Sequence, residues 1–143
     1  MCCQLYLSTS SPEDLTRFNS ELVHFERIGA ADDQRLAILE NPEKWFIGSK
    51  SKCSCTFRHF VSADAGFDEP QDWCPEDEDN VRATAELYGV IRSLLDAGER
   101  VDSLDLWYDA TGEEIKTMVV NFGAVPGKKF FFLENYHFVF TKE

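Results

Sequence analysis

Two cysteines separated by one residue, Cys53 and Cys55, precede His59 by six and four positions, and Cys74 follows on a later segment. Residues two apart on an extended strand point to the same side, so both thiols and the imidazole fall in one row. A loop that folds back with Cys74 completes a Cys3His set, a closed donor set suited to zinc. The spacing departs from a zinc knuckle, since Cys-x-Cys stands in place of Cys-x2-Cys. His59 also lies about 13 Å beyond Cys55 along a straight strand, so the strand must bend to close the site. The competing reading makes Cys53 and Cys55 small buried hydrophobes beside Phe57, with Cys74 a loop thiol. Zinc is the one cofactor these residues suggest.

The same cysteines support a second chemistry. Lys50, Lys52 and Arg58 flank them, and nearby positive charge lowers a thiol pKa toward the nucleophilic thiolate. The stretch from Lys44 to Phe60 carries four Lys or Arg and no acid, whereas Asp64 to Asn80 carries eight acids and no Lys or Arg. If the acidic segment packs against the basic one, those cations are already neutralised and the activation fails. The chain has no Cys-x-x-Cys, which disfavours a dithiol redox site. Removal of Met1 would expose Cys2 as an N-terminal nucleophile, but no Gly-rich turn nearby offers an oxyanion hole. His24 and His137 read as structural histidines, one beside a helical stripe and the other entering the last strand. The acids Glu76 to Asp79 read as a solvated helix cap before a cation site. Nucleotide-binding glycine loops, HExxH, GxSxG and calcium-loop patterns are all missing from the sequence.

The elements that must position these groups are legible in part. Cys3, Leu5 and Leu7 alternate with Gln4, Tyr6 and Ser8, a strand pattern. Ser11-Pro12-Glu13-Asp14 predicts a helix start, and Leu15, Phe18, Leu22 and Phe25 follow at helical spacing up to Gly29. Strand pieces are predicted at Leu36 to Leu39 and Trp45 to Gly48. Gly48 to Lys52 would turn into a further strand from Cys53 to Phe60. After the acidic loop, Val81, Ala85, Tyr88, Ile91 and Leu95 predict a second helix closed by Gly98. Val101 to Asp109 reads as a strand. The segment from Gly112 to Phe122 carries both a capping box and a strand-like alternation, and a short third helix is preferred. Lys129 to Leu133 and His137 to Thr141 predict a closing hairpin about Glu134-Asn135.

This order predicts a single α+β domain over residues 1–143: a mainly antiparallel sheet with two to three helices on it. Its first six elements follow a ferredoxin-like, split βαβ arrangement, with extra C-terminal strands. Large apolar groups fall on both faces of the closing hairpin, and Trp107 faces away from Leu104 and Leu106. Such a sheet needs a cover on its second face. A homodimer with Trp107 and Phe138 in its interface is the simplest one.

Composition sets the outer bounds. The 143 residues include 14 Lys plus Arg and 26 Asp plus Glu, a formal net charge of −12, so a general nucleic-acid or anionic-membrane partner is disfavoured. With 43% hydrophobic residues and twelve Phe, the chain can build a core. No apolar run approaches the roughly 20 residues that span a bilayer as a helix. Five cysteines are an odd number, and the opening residues lack a basic, then apolar, export pattern, so reduced thiols in the cytoplasm are expected. The functional expectation is a non-catalytic binding or self-association module. Its alternatives are a zinc module and an enzyme with a cysteine nucleophile.

Overall fold

A computed structural model describes residues 3–28, 34–50, 54, 56–60, 67, 76–107 and 114–142. The strands are β1 (Cys3–Thr9), β2 (Val23–Arg27), β3 (Glu43–Ser49), β4 (His59–Phe60), β5 (Val101–Trp107), β6 (Lys116–Asn121), β7 (Phe132–Leu133) and β8 (Tyr136–Thr141). The single α-helix among the described residues is α1 (Glu78–Asp96). Six strands form one mixed sheet in the order β2-β3-β1-β5-β8-β6, in which only the β6–β8 pair is parallel. A second, two-stranded sheet joins β4 to β7 in parallel.

This architecture overturns the expected two to three helices on an antiparallel, ferredoxin-like sheet. The fold is sheet-dominated α+β. The predicted first helix is instead a 3-10 turn (Leu15–Phe18) followed by β2. Side chains in that stretch take over backbone donors that a helix would use. Asp14 accepts from the Thr16 N–H at 3.0 Å, and Asn19 Oδ1 accepts from the Phe25 N–H at 2.6 Å. Ser20 Oγ accepts from the N–H groups of Leu22 and Val23. Such local bonds compete with helix propagation, and burial then alternates, with Val23 and Phe25 inside and His24 exposed.

The predicted third helix is β6. Val120 is 1% exposed while Val119 is 65% exposed, a period of two that a helix would not give. Adjacent β-branched residues favour the same outcome. Leu36 to Leu39 is no strand either: a 3-10 turn (Gln34–Ile38) lays Leu36 and Leu39 on Tyr6, Leu104 and Leu106. The closing hairpin forms its turn, with Asn135 at φ 60°, but not its ladder. β7 leaves to pair with β4, and β8 inserts between β5 and β6. Among the described residues of the predicted Cys53 to Phe60 strand, His59 and Phe60 are the ones that pair.

Helix α1 forms where its pattern predicts, with Tyr88, Ile91 and Leu95 of the expected stripe buried, Val81 half-buried and Ala85 exposed. Asp77 caps it by accepting from the Asp79 N–H at 2.8 Å, and Gly98 just past the end adopts φ 86°. Its buried residues Leu87, Ile91, Leu94 and Leu95 join Leu5, Leu7, Trp45, Ile47 and a group of phenylalanines in the main core on one sheet face. Phe130 packs edge-to-face there against Phe132, Phe138 and Phe140, with ring centroids 4.9 to 6.1 Å apart. The opposite face carries the smaller cluster of Tyr6, Leu36, Leu39, Leu104 and Leu106. No helix among the described residues is long and apolar enough to cross a membrane.

Candidate functional site

The register of the sheet lines up four polar residues on the face opposite α1. Ser8 stands directly across from Asp102, and Thr117 directly across from His137. The four span β1, β5, β8 and β6, with the step from Asp102 to His137 diagonal, since Asp102 stands across from Val139 and His137 across from Leu104. Asp102 and His137 are each 1% exposed, whereas Thr117 lies at the exposed edge. His137 Nε2 lies 2.7 Å from Asp102 Oδ2, and its Nδ1 lies 3.3 Å from the Thr117 hydroxyl. With Asp102 as acceptor, Nε2 carries the ring hydrogen and Nδ1 accepts from Thr117.

The segment after the Gln34–Ile38 turn closes over the row. The Glu40 N–H donates to Asp102 Oδ2 at 2.8 Å, and the Asn41 side-chain amide donates to Oδ1 at 3.2 Å. Ser8 Oγ also donates to Asp102 Oδ1, and itself accepts from the Asn41 N–H at 3.1 Å. Leu36 and Leu39, buried just before, fix this segment on the sheet. The Glu40 side chain is exposed, and one ligand atom each from Glu40, Asp102 and His137 lie within 4.8 Å of one another. The cluster has an imidazole nitrogen and two carboxylates, a donor set that zinc and manganese accept.

A second ionisable pair sits on the helix side of the same sheet. His59 Nδ1 lies 2.5 Å from Asp105 Oδ2, and Nε2 lies 2.6 Å from the Ser54 carbonyl oxygen. Burial by itself would lower the His59 pKa, but the Asp105 charge and the hydrogen bonds to Asp105 and Ser54 outweigh it and raise it. Burial pushes the Asp105 carboxyl up against the opposing pull of His59. Next to it, Arg58 is 3% exposed and grips both carboxylate oxygens of Glu76 at 2.8 and 2.9 Å.

Of the residues expected to hold zinc, Cys53, Cys55 and Cys74 lie outside the described residues, so their convergence is not placed. His59 is placed, with both ring nitrogens engaged by Asp105 and Ser54. Thiol activation loses its cations in part: Lys50 pairs with Asp79 at 2.8 Å and Arg58 with Glu76. The acids Glu76, Asp77 and Asp79 are thus ion-pair partners and a helix cap. Trp107 pairs with Cys3 in the β1–β5 ladder, and its side chain lies outside the described set. Phe138 is 1% exposed, inside the chain's own core.

Sequence reasoning passed over Asp102, Glu40 and Thr117 and set His137 aside as structural. One signal was available: His137 interrupts the apolar run from Tyr136 to Phe140, and Asp102 alternates onto the same face as Leu104 and Leu106. Their alignment across β5 and β8 is not readable from either strand alone. Comparison with protein-family models, curated proteins and solved structures finds no match for this chain. The site is therefore read from its geometry.

Proposed function

We propose that this chain is a small cytoplasmic, non-catalytic binding module whose ligand is a divalent transition-metal ion, zinc in the first place. Glu40, Asp102 and His137 are its ligands. The observation that carries the reading is the convergence of their three donor atoms within 4.8 Å. Ligand atoms about 2.1 Å from one tetrahedral zinc sit about 3.4 Å apart, so sub-ångström to ångström shifts complete the set. The two buried ligands each have an outer partner of the kind that orients metal ligands. Ser8 and Asn41 hold Asp102 Oδ1, and Thr117 contacts His137 Nδ1. Zinc would replace the hydrogen on His137 Nε2, and the hydroxyl of Thr117 can then accept from Nδ1. Three protein ligands leave the fourth position to water or a partner group, at the exposed Glu40 side.

Zinc added to chelator-treated protein at a hundredfold excess over Kd stabilises the fold by about 2.7 kcal/mol and raises Tm by several degrees. Glu40→Gln changes an exposed side chain, so it should fold normally and weaken zinc binding at least tenfold in calorimetric titration. Asp102→Asn should abolish binding. Wild-type affinity in Glu40→Gln and Asp102→Asn, with zinc still bound, would move the ion away from this row and toward the cysteines. No zinc binding by the wild type sinks the proposal outright.

A further inference from the structure

The segment formed by residues 56–60 reaches across the helix-side face and is fastened at several points. Its Thr56 N–H donates to Ser49 Oγ, its Arg58 N–H donates to Thr84 Oγ1, and the Phe132 N–H donates to the Arg58 carbonyl. The Arg58 guanidinium grips Glu76 and the carbonyls of Lys128 and Phe130. Backbone groups, hydroxyls and a guanidinium do not change charge between neutral and alkaline pH.

The last fastening differs. The His59 ring lies between two oxygen acceptors, the Asp105 carboxylate on Nδ1 and the Ser54 carbonyl on Nε2. A neutral imidazole has one N–H and satisfies only one of them. The arrangement therefore holds one additional proton, on the ring or on Asp105. The side chains are 8% and 2% exposed, so water does not stand in for a lost donor. Around the ring lie Phe57 and Phe132, with centroids 6.3 and 6.1 Å away. Among the described residues, the charged groups facing the ring are Asp105 from β5 and Glu134 from the turn after β7, and both favour keeping the proton. Ser54 is itself anchored, accepting from the Leu5 N–H and donating to the Ile47 carbonyl.

We infer that the His59–Asp105 pair is a proton-dependent latch: protonated, it ties β4 and the 56–60 segment to β5, and at alkaline pH it lets that segment loosen. Loss of the proton leaves a buried carboxylate or carbonyl facing a ring lone pair, and an unsatisfied buried acceptor is costly. The six-stranded sheet has no ladder through β4, so the opening is local. This latch lies on the opposite face from the Glu40–Asp102–His137 row and does not depend on metal binding.

Hydrogen–deuterium exchange of residues 56–60, corrected for intrinsic rates, tests it between pH 5.5 and 9. Protection should fall at least tenfold as pH rises past the ordinary histidine range, while residues 101–107 keep theirs. His59→Gln should remove this pH dependence. Asp105→Asn, which keeps the shape and removes the charge that holds the proton, should move the midpoint to lower pH. A flat wild-type profile overturns the latch, as does an unchanged profile in His59→Gln. If His59→Gln does not fold, an unchanged midpoint in Asp105→Asn overturns it equally.

Discussion

Arg58 and Lys50 come from the same basic stretch and meet acids at the start of α1, Glu76 just before it and Asp79 in its first turn, yet their surroundings set very different stakes. The Arg58 side chain is 2% exposed and that of its partner Glu76 17%, and the guanidinium also donates to two backbone carbonyls. Removing one partner of a buried pair leaves the other charge uncompensated. Glu76→Gln is therefore expected to cost about 3 kcal/mol in urea unfolding. Lys50 and Asp79 are 38% and 40% exposed, where water and salt screen the contact. Lys50→Ala should leave Tm unchanged, and a matching loss in both variants would refute the distinction. The pairing itself follows from charge segregation along the chain, which put the cations and acids in adjacent blocks.

β6 and β2 show how an element is chosen when its residues allow two. Both segments carry apolar residues at helical spacing, and both end as edge strands of the six-stranded sheet. In β6 the even residues turn inward: the N–H groups of Lys116 and Phe122 donate to Asn135 and Thr141 across the parallel pair. By the alternation of a parallel ladder, Thr117, Val119 and Asn121 present their N–H groups to the outer edge. Proline lacks that donor and is tolerated only at such positions. Val119→Pro should therefore preserve the fold, whereas Val120→Pro should unfold it. Circular dichroism on the two variants distinguishes the strand from a helix, which either proline would break. In β2, Asn19→Ala should cost about 1 kcal/mol, because it strips the Phe25 N–H of its acceptor.

Across the whole molecule, the buried pair on the helix side sets the response of stability to pH. The His59 and Asp105 pKa values are both raised, so the folded chain holds the shared proton more tightly than the unfolded chain does. For His59 that contribution is complete below its unfolded value of 6.5 and is lost as pH rises through the higher folded value. Urea-unfolding free energy should accordingly decline above pH 6.5, and Asp105→Asn should flatten the decline. A wild-type stability that rises from pH 6.5 to 9 would contradict the direction of the His59 shift. The homodimer expected from two-sided aromatic patterning meets a different molecule. Phe138 is enclosed by its own chain, and Leu36 and Leu39 cover part of the second face.

Much of what the amino-acid sequence determined by itself concerns contiguous residues. The stripe through Val81, Tyr88, Ile91 and Leu95, closed by Gly98, specifies α1 within about twenty positions, since a 3.6-residue period and a glycine stop need no distant partner. The alternation in β1 and β5 is equally local, and so is the Glu134-Asn135 turn, where Asn tolerates positive φ. The stripe from Leu15 to Phe25 and the mixed pattern before Phe122 carried two periods at once, and only packing against neighbouring strands selected one. The proposed site lay further out of reach. His137 meets Asp102 across 35 residues and the Glu40 N–H meets it across 62. Those approaches exist because β8 inserts beside β5 and because Leu36 and Leu39 bury against Leu104 and Leu106. Strand order is a competition among distant pairings for one buried surface, and the outcome is a property of the assembled sheet rather than of any segment in it.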